Sequence, residues 1–130
     1  MTSRAFSLGD RYELLALHRG LMEARFCEVA NDPDVSGSPI LSKIHRDIVQ
    51  LLSELECGGS SASWKQWLTI EPDRREWRVA IKRASDASRW KELDEEGKKK
   101  LALDYLAPFE VRDDLLGLFI RTADQLRDQR

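Results

Sequence analysis

Cysteine is nearly missing from this chain: Cys27 and Cys57 stand alone. They form no Cys-x-x-Cys pair, so neither a disulfide framework nor a cysteine-built metal site is expected, and reduced thiols in a cytoplasmic protein are the simplest reading. Long apolar runs are also missing. The start, Met1 to Phe6, has no stretch of signal length, and no window approaches the roughly 18 apolar residues of a membrane span. No membrane partner is therefore expected. Alternation of the strand type never lasts more than a few residues and nothing repeats internally, which removes the sheet-based fold classes.

Positive charge is not in excess. With 21 basic and 23 acidic residues the net charge is −2 and the isoelectric point about 5.7, against the basic footprint of a dedicated nucleic-acid binder. Catalytic signatures are missing as well: no Gly-x-Ser-x-Gly, no phosphate loop after Gly58-Gly59, and no His-Glu-x-x-His or Glu-x-x-His ligand spacing. No cofactor and no metal site is expected, and the chain reads as non-enzymatic.

What is present is helical. The 130 residues, 42% hydrophobic and 34% charged, suffice for one soluble domain with its own core. Leu8, Tyr12, Leu15, Met22, Phe26 and Val29 recur at helical spacing beside a second stripe of Leu14, Leu17, Leu21 and Ala24, which predicts a central helix over 8–30 with an N-cap at Ser7. After turn formers at 31–38, Ser38 and Pro39 open a second helix. Its Ile40, Leu41, Ile44, Ile48, Leu51, Leu52 and Leu55 make an apolar side, opposite Lys43, Arg46, Asp47, Gln50 and Glu54. A Gly/Ser loop at 58–62 follows, and 1–7 is a flexible N-terminus. Ser63 caps a short helix with Trp64, Trp67 and Leu68; further helices are expected over 72–90, about 92–107 and 110–127. The fold class is all-α, a single compact bundle of five or six helices over residues 1–130.

Charge is segregated along the chain. Residues 71–91 carry seven basic and four acidic side chains, whereas 1–57 carry six and nine and 92–130 carry seven and ten. On a helix over 72–90, Trp77, Ala80, Ile81, Ala84, Ala87 and Ser88 share one narrow face, and Arg75, Arg78, Lys82 and Arg89 form a cationic ridge on another. Val79 and Trp90 lie beside the ridge. Arginine and tryptophan are enriched at binding hot spots. The bland alternative is that the following helix folds back and Glu92, Glu95 or Glu96 neutralises the ridge in exposed pairs worth little.

His18, flanked by Leu14, Leu15, Leu21 and Met22, falls inside an apolar face, where desolvation would lower its pKa. It reads as a hydrogen-bonded core histidine, and the competing reading is a buried base. A shared site with His45 would need the first two long helices to face each other at that level. The function assigned from sequence is a non-catalytic protein–protein interaction protein, an adaptor, inhibitor, immunity-type or assembly factor. It would bind an acidic protein surface, another copy of itself included, through Arg75, Arg78, Val79, Lys82, Arg89 and Trp90. The alternative is a nucleic-acid-associated regulator using the same helix; the third is a small enzyme built on His18.

Overall fold

The computed structural model describes residues 10–28, 32–55 and 61–129. Among them lie seven helical segments and no strand: α1 (Arg11–Phe26), α2 (Pro33–Ser36), α3 (Pro39–Leu55), α4 (Ser61–Leu68), α5 (Arg75–Asp86), α6 (Glu95–Leu106) and α7 (Asp113–Asp128), with a 3₁₀ turn at Trp90–Glu92. The compact all-α bundle expected from the sequence is what forms. The only ladder-like pairing among the described residues is one parallel bridge between Thr69 and Glu110, which ties the exits of α4 and α6 together. The expected N-terminal segment 1–7 and residues 58–60 of the expected loop lie outside the described residues. Ser61 and Ala62, expected in that loop, already belong to α4.

Helix ends follow from short-range chemistry. Asp10 caps α1 by accepting from the Tyr12 amide at 2.7 Å, and Asp94 caps α6 by accepting from the Gly97 amide at 2.8 Å. Ser38 opens α3, its hydroxyl taking the Leu41 amide at 3.1 Å ahead of Pro39. Acidic residues sit in the first turns of α5, α6 and α7, where the helix dipole favours them.

The larger core belongs to α5, α6 and α7. Trp77, Ala80, Ile81 and Ala84 of α5 pack with Leu101, Leu106, Leu115, Phe119 and Ile120, and Trp77 meets Phe119 edge to face at 5.3 Å. A smaller core joins α1 and α3 through Leu14, Ile48 and Leu52, with Trp64 of α4 against it. The first helix is thus not the central one. Tyr12 is 75% exposed, and the side chains that α1 buries are Leu14, His18, Arg25 and Phe26.

Two sequence expectations are corrected by what the chain buries. On α3 the inner face is Ser42, His45, Ile48, Val49 and Leu52, while Ile40, Ile44, Leu51 and Leu55 are exposed among the described residues. The helix is turned by roughly a quarter-turn from its most hydrophobic orientation, because Ser42 and His45 are needed by a buried arginine described below. The second correction concerns Trp90. Helix α5 stops at Asp86, four residues short of the expected end, and the chain turns so that Trp90 becomes fully buried. Continued as a helix, it would have placed Trp90 on the far side from Trp77. Burying an indole, roughly 150–250 Å², is worth about 4 kcal/mol or more, which outweighs one extra exposed helical turn, itself marginal in water.

Helix α7 supplies the matching hardware for that break. Arg127 donates to the carbonyls of Ser85 and Ala87, both at 2.8 Å, and Asp124 accepts from the Trp90 indole at 2.8 Å and from Lys98 at 2.9 Å. Trp90→Phe keeps an aromatic ring but forfeits this hydrogen bond and part of the volume. We expect it to lower unfolding stability by about 1–3 kcal/mol in chemical denaturation. An unchanged denaturation midpoint would mean that Trp90 is not the core anchor described.

Candidate functional site

Two arrangements concentrate polar chemistry: a buried chain of hydrogen bonds between the two cores, and a cationic groove on the outside of α5.

The buried chain begins at Arg25, which is 1% exposed. Helical arithmetic puts Arg25 within about 20° of Leu14 and His18 on the inner face of α1. Its guanidinium donates to the Asp104 carbonyl, to the Ala107 carbonyl at 2.6 Å, to Ser42 Oγ at 3.0 Å, to the Ser36 carbonyl at 3.4 Å and to His45 Nδ1 at 3.1 Å. Asp104 and Ala107 stand at the C-terminal end of α6, where unsatisfied carbonyls gather the negative pole of the helix. Nε alone has no partner.

The arginine also dictates the proton positions beyond it. A guanidinium has donors only, so His45 Nδ1 must accept and the His45 proton sits on Nε2. That Nε2–H donates to His18 Nδ1 at 3.0 Å, which leaves the His18 proton on its own Nε2. Trp64 and Trp67 stand edge-on to the His18 ring at 5.6 and 5.2 Å. Both Nδ1 lone pairs of the histidine pair are therefore occupied. Among the described residues no three His, Cys, Asp or Glu side chains group as metal ligands, and no described carboxylate contacts His18.

Electrostatics agree with that assignment. Burial, helped by the charges of Arg25 and Arg46 and by His18, lowers the His45 pKa to about 3. Burial and then Arg19 lower that of His18. Arg25 is lowered to about 10, chiefly by burial, and stays charged at neutral pH. Asp104 is raised by burial, against the pull of Arg46, whose guanidinium lies 4.0 Å from the carboxylate.

The cationic groove holds about 530 Å³ and runs between α5 and the end of α1. Arg75, Arg78, Lys82 and Arg83 line it together with Val79 and two carboxylates, Glu28 and Asp86. The four cations divide by role. Arg83 donates to the carbonyls of Arg25 and Cys27, and Arg75 donates to that of Phe26 at 2.9 Å, so these two cap the end of α1. Arg78 reaches only the Asp73 carbonyl, at 3.1 Å, and Lys82 is exposed beside half-buried Val79.

The structure brings Arg75, Arg78, Val79 and Lys82 together and separates the other two residues singled out from sequence. Trp90 is in the core, and Arg89 turns with the broken helix into a different pocket near the start of α3. Sequence reasoning passed over Arg83 and Glu28 in the groove. It also passed over Arg25, although a charged residue at the centre of an apolar stripe is a signal visible in spacing alone. Among the described residues no helix is long and apolar enough to cross a membrane. The geometry defines a class, an all-α bundle with a polar seam and one cationic outer helix. Compared with known proteins, the chain matches no family model, no curated protein and no solved structure.

The proton assignments predict a pH dependence. Both histidines bind protons more weakly folded than unfolded, so below the ordinary value of 6.5 the unfolded chain carries more protons. Stability is complete above that value and falls as pH drops, by about 1.4 kcal/mol per pH unit for His45 until about 3, with His18 adding a loss of the same sign. Asp104, raised by burial, opposes the trend once it protonates. His45→Gln keeps an acceptor for Arg25 and a donor for His18, and should flatten the slope between pH 6.5 and 5 in denaturant titrations. An unaltered slope would contradict the assignment.

Proposed function

We propose that this protein is a non-catalytic binding module that docks an acidic protein segment in the α5 groove, with Arg78 and Lys82 as the recognition charges and Val79 as the apolar floor. The observation that carries this reading is that the ridge keeps its charge. Among the described residues the salt bridges use Lys43, Arg46, Arg74, Lys98, Lys99 and Arg112, and none uses Arg75, Arg78, Lys82 or Arg83. Helix α6 packs against the buried side of α5, but Glu96 pairs with Lys99, and among the described residues neither Glu92 nor Glu95 forms a salt bridge, so these carboxylates do not neutralise the ridge.

Unpaired cations around a shallow apolar floor favour a partner that brings carboxylates flanking one or two aliphatic side chains. Long-range attraction speeds the encounter, and burial against Val79 slows departure. Glu28 and Asp86, which line the same groove, disfavour a continuous polyanion. Arg75 and Arg83 hold the groove open from within by fastening α5 to α1.

The test is a labelled peptide of alternating Glu and Leu measured by fluorescence anisotropy, with duplex DNA of equal charge in parallel. Binding of the peptide should weaken as salt rises and fall at least tenfold, about 1.4 kcal/mol, in the double variant Arg78→Glu, Lys82→Glu with helicity unchanged. Peptide affinity indifferent to the reversal, or tighter binding to the DNA, would overturn the reading.

A further inference from the structure

The turn that Arg25 imposes on α3 leaves an apolar face without cover. Of the eight exposed large apolar side chains among the described residues, four stand on this one helix: Ile40, Ile44, Leu51 and Leu55, at 70, 40, 42 and 49% exposure. At 100° per residue they fall within about 60° of one another, a stripe along a helix roughly 25 Å long. Ser42 and Val49, buried against the bundle, lie on the other side of the helix. Single apolar groups on a surface are ordinary, whereas an aligned stripe of isoleucine and leucine held out of the core marks a contact surface.

The charges beside the stripe say what covers it. Lys43 and Glu54 share one flank, about 20° from each other and roughly 80° from the middle of the stripe, the position that carries ion pairs between helices in coiled coils. The opposite flank, Ile48 and Leu52, is already in the core shared with α1. The exposed flank is therefore basic near the start of α3 and acidic at its end. Turned end for end, the helix matches itself: Ile40 faces Leu55, Ile44 faces Leu51, Lys43 meets Glu54, and Asp47 meets the Gln50 amide. All four pairings share one register to within about 3 Å, and each occurs twice about a two-fold axis. Within one chain Lys43 holds Asp47 at 2.9 Å, and Gln50 donates to Glu54 at 3.1 Å. Exposed pairs of this kind give way at little cost. A partner of single sign would be attracted at one end of the flank and repelled at the other.

We propose that α3 is the interface of a homodimer, in which two copies pack antiparallel along the Ile40, Ile44, Leu51 and Leu55 stripe, with Lys43 of one copy paired to Glu54 of the other. Four half-exposed side chains offer less than the roughly 800 Å² per partner of a standard interface, and each copy keeps its own core, so the dimer is weak and reversible. The stripe belongs to a different helix from the α5 groove, and the proposal does not rest on the function assigned there.

Sedimentation equilibrium on the full chain, from micromolar to millimolar concentration, tests this. The mass should rise with concentration from 15.0 kDa towards twice that value. The double variant Ile44→Lys, Leu51→Lys, changed only at exposed positions, should stay at the monomer mass with its helicity by circular dichroism unchanged. Lys43→Glu and Glu54→Lys should each weaken association at least fivefold, and the two combined should restore it. Residues 43 and 54 are roughly 16 Å apart along one helix, so that rescue reports a contact between copies, and an antiparallel one. Arg78→Glu with Lys82→Glu should associate as the parent does. The proposal is overturned if the mass stays at that of the monomer throughout, whether another segment of the chain or a different protein then covers the stripe. It is equally overturned if Ile44→Lys, Leu51→Lys associates as before, if the charge exchange fails to rescue, or if reversal of the α5 cations abolishes association.

Discussion

A guanidinium enclosed without a contacting carboxylate is the constraint to which the rest of this bundle answers. Taking a charge out of water costs several kcal/mol even after relaxation, and here Arg25 is compensated by neutral acceptors: three carbonyls, a hydroxyl and an imidazole. Meeting that demand fixes α2 and α3 against α1 and aims the C-terminal end of α6 at the same point. It turns α3 so that Ser42 and His45 face inward, at the cost of leaving Ile40, Ile44, Leu51 and Leu55 outside. It also sets the tautomers of His45 and His18 in sequence.

The seam divides the molecule into two parts with different tasks. On one side, α5, α6 and α7 build an ordinary apolar core whose loop chemistry, Arg127 on the α5 exit and Asp124 on Trp90, ends α5 early. On the other, α1 and α3 hold a smaller core. Arginines of α5 bridge the parts by capping α1: Arg75 and Arg83 reach the carbonyls at its end. This leaves Arg78 and Lys82 facing outward, while Arg89 turns away with the broken helix. One run of basic sequence thereby serves structure in two residues and the groove in two.

Much of the fold was legible because period and caps are local. The Trp77, Ala80, Ile81, Ala84 face of α5 is buried as spacing predicted, and Ser38 with Pro39 opens α3 as expected. His18 lies in the α1 inner face, hydrogen-bonded, as its apolar neighbours implied. The misreadings arose where a distant polar partner overrode hydrophobicity. Periodicity assigned α3 its most apolar side, and nothing local to α3 reveals that Arg25 needs Ser42 and His45. Extrapolating the α5 helix to Trp90 ignored that the indole gains more by entering the core than by continuing a helix, with Asp124 waiting 34 residues later. Arg75, Arg78, Val79 and Lys82 line one groove because they lie on one unbroken helix; Arg89 and Trp90 lie beyond its end.

The claim on which this account turns is that the charge of Arg25, and not merely its bulk, holds α1, α3 and α6 together. Replacing it by methionine, of similar length and apolar, and comparing equilibrium unfolding in urea at pH 7.5 tests that directly. The account predicts a loss of about 3–5 kcal/mol, because the Asp104 and Ala107 carbonyls, Ser42 and His45 would be buried without their donor. An Arg25→Met protein as stable as the parent, or more so, would contradict it.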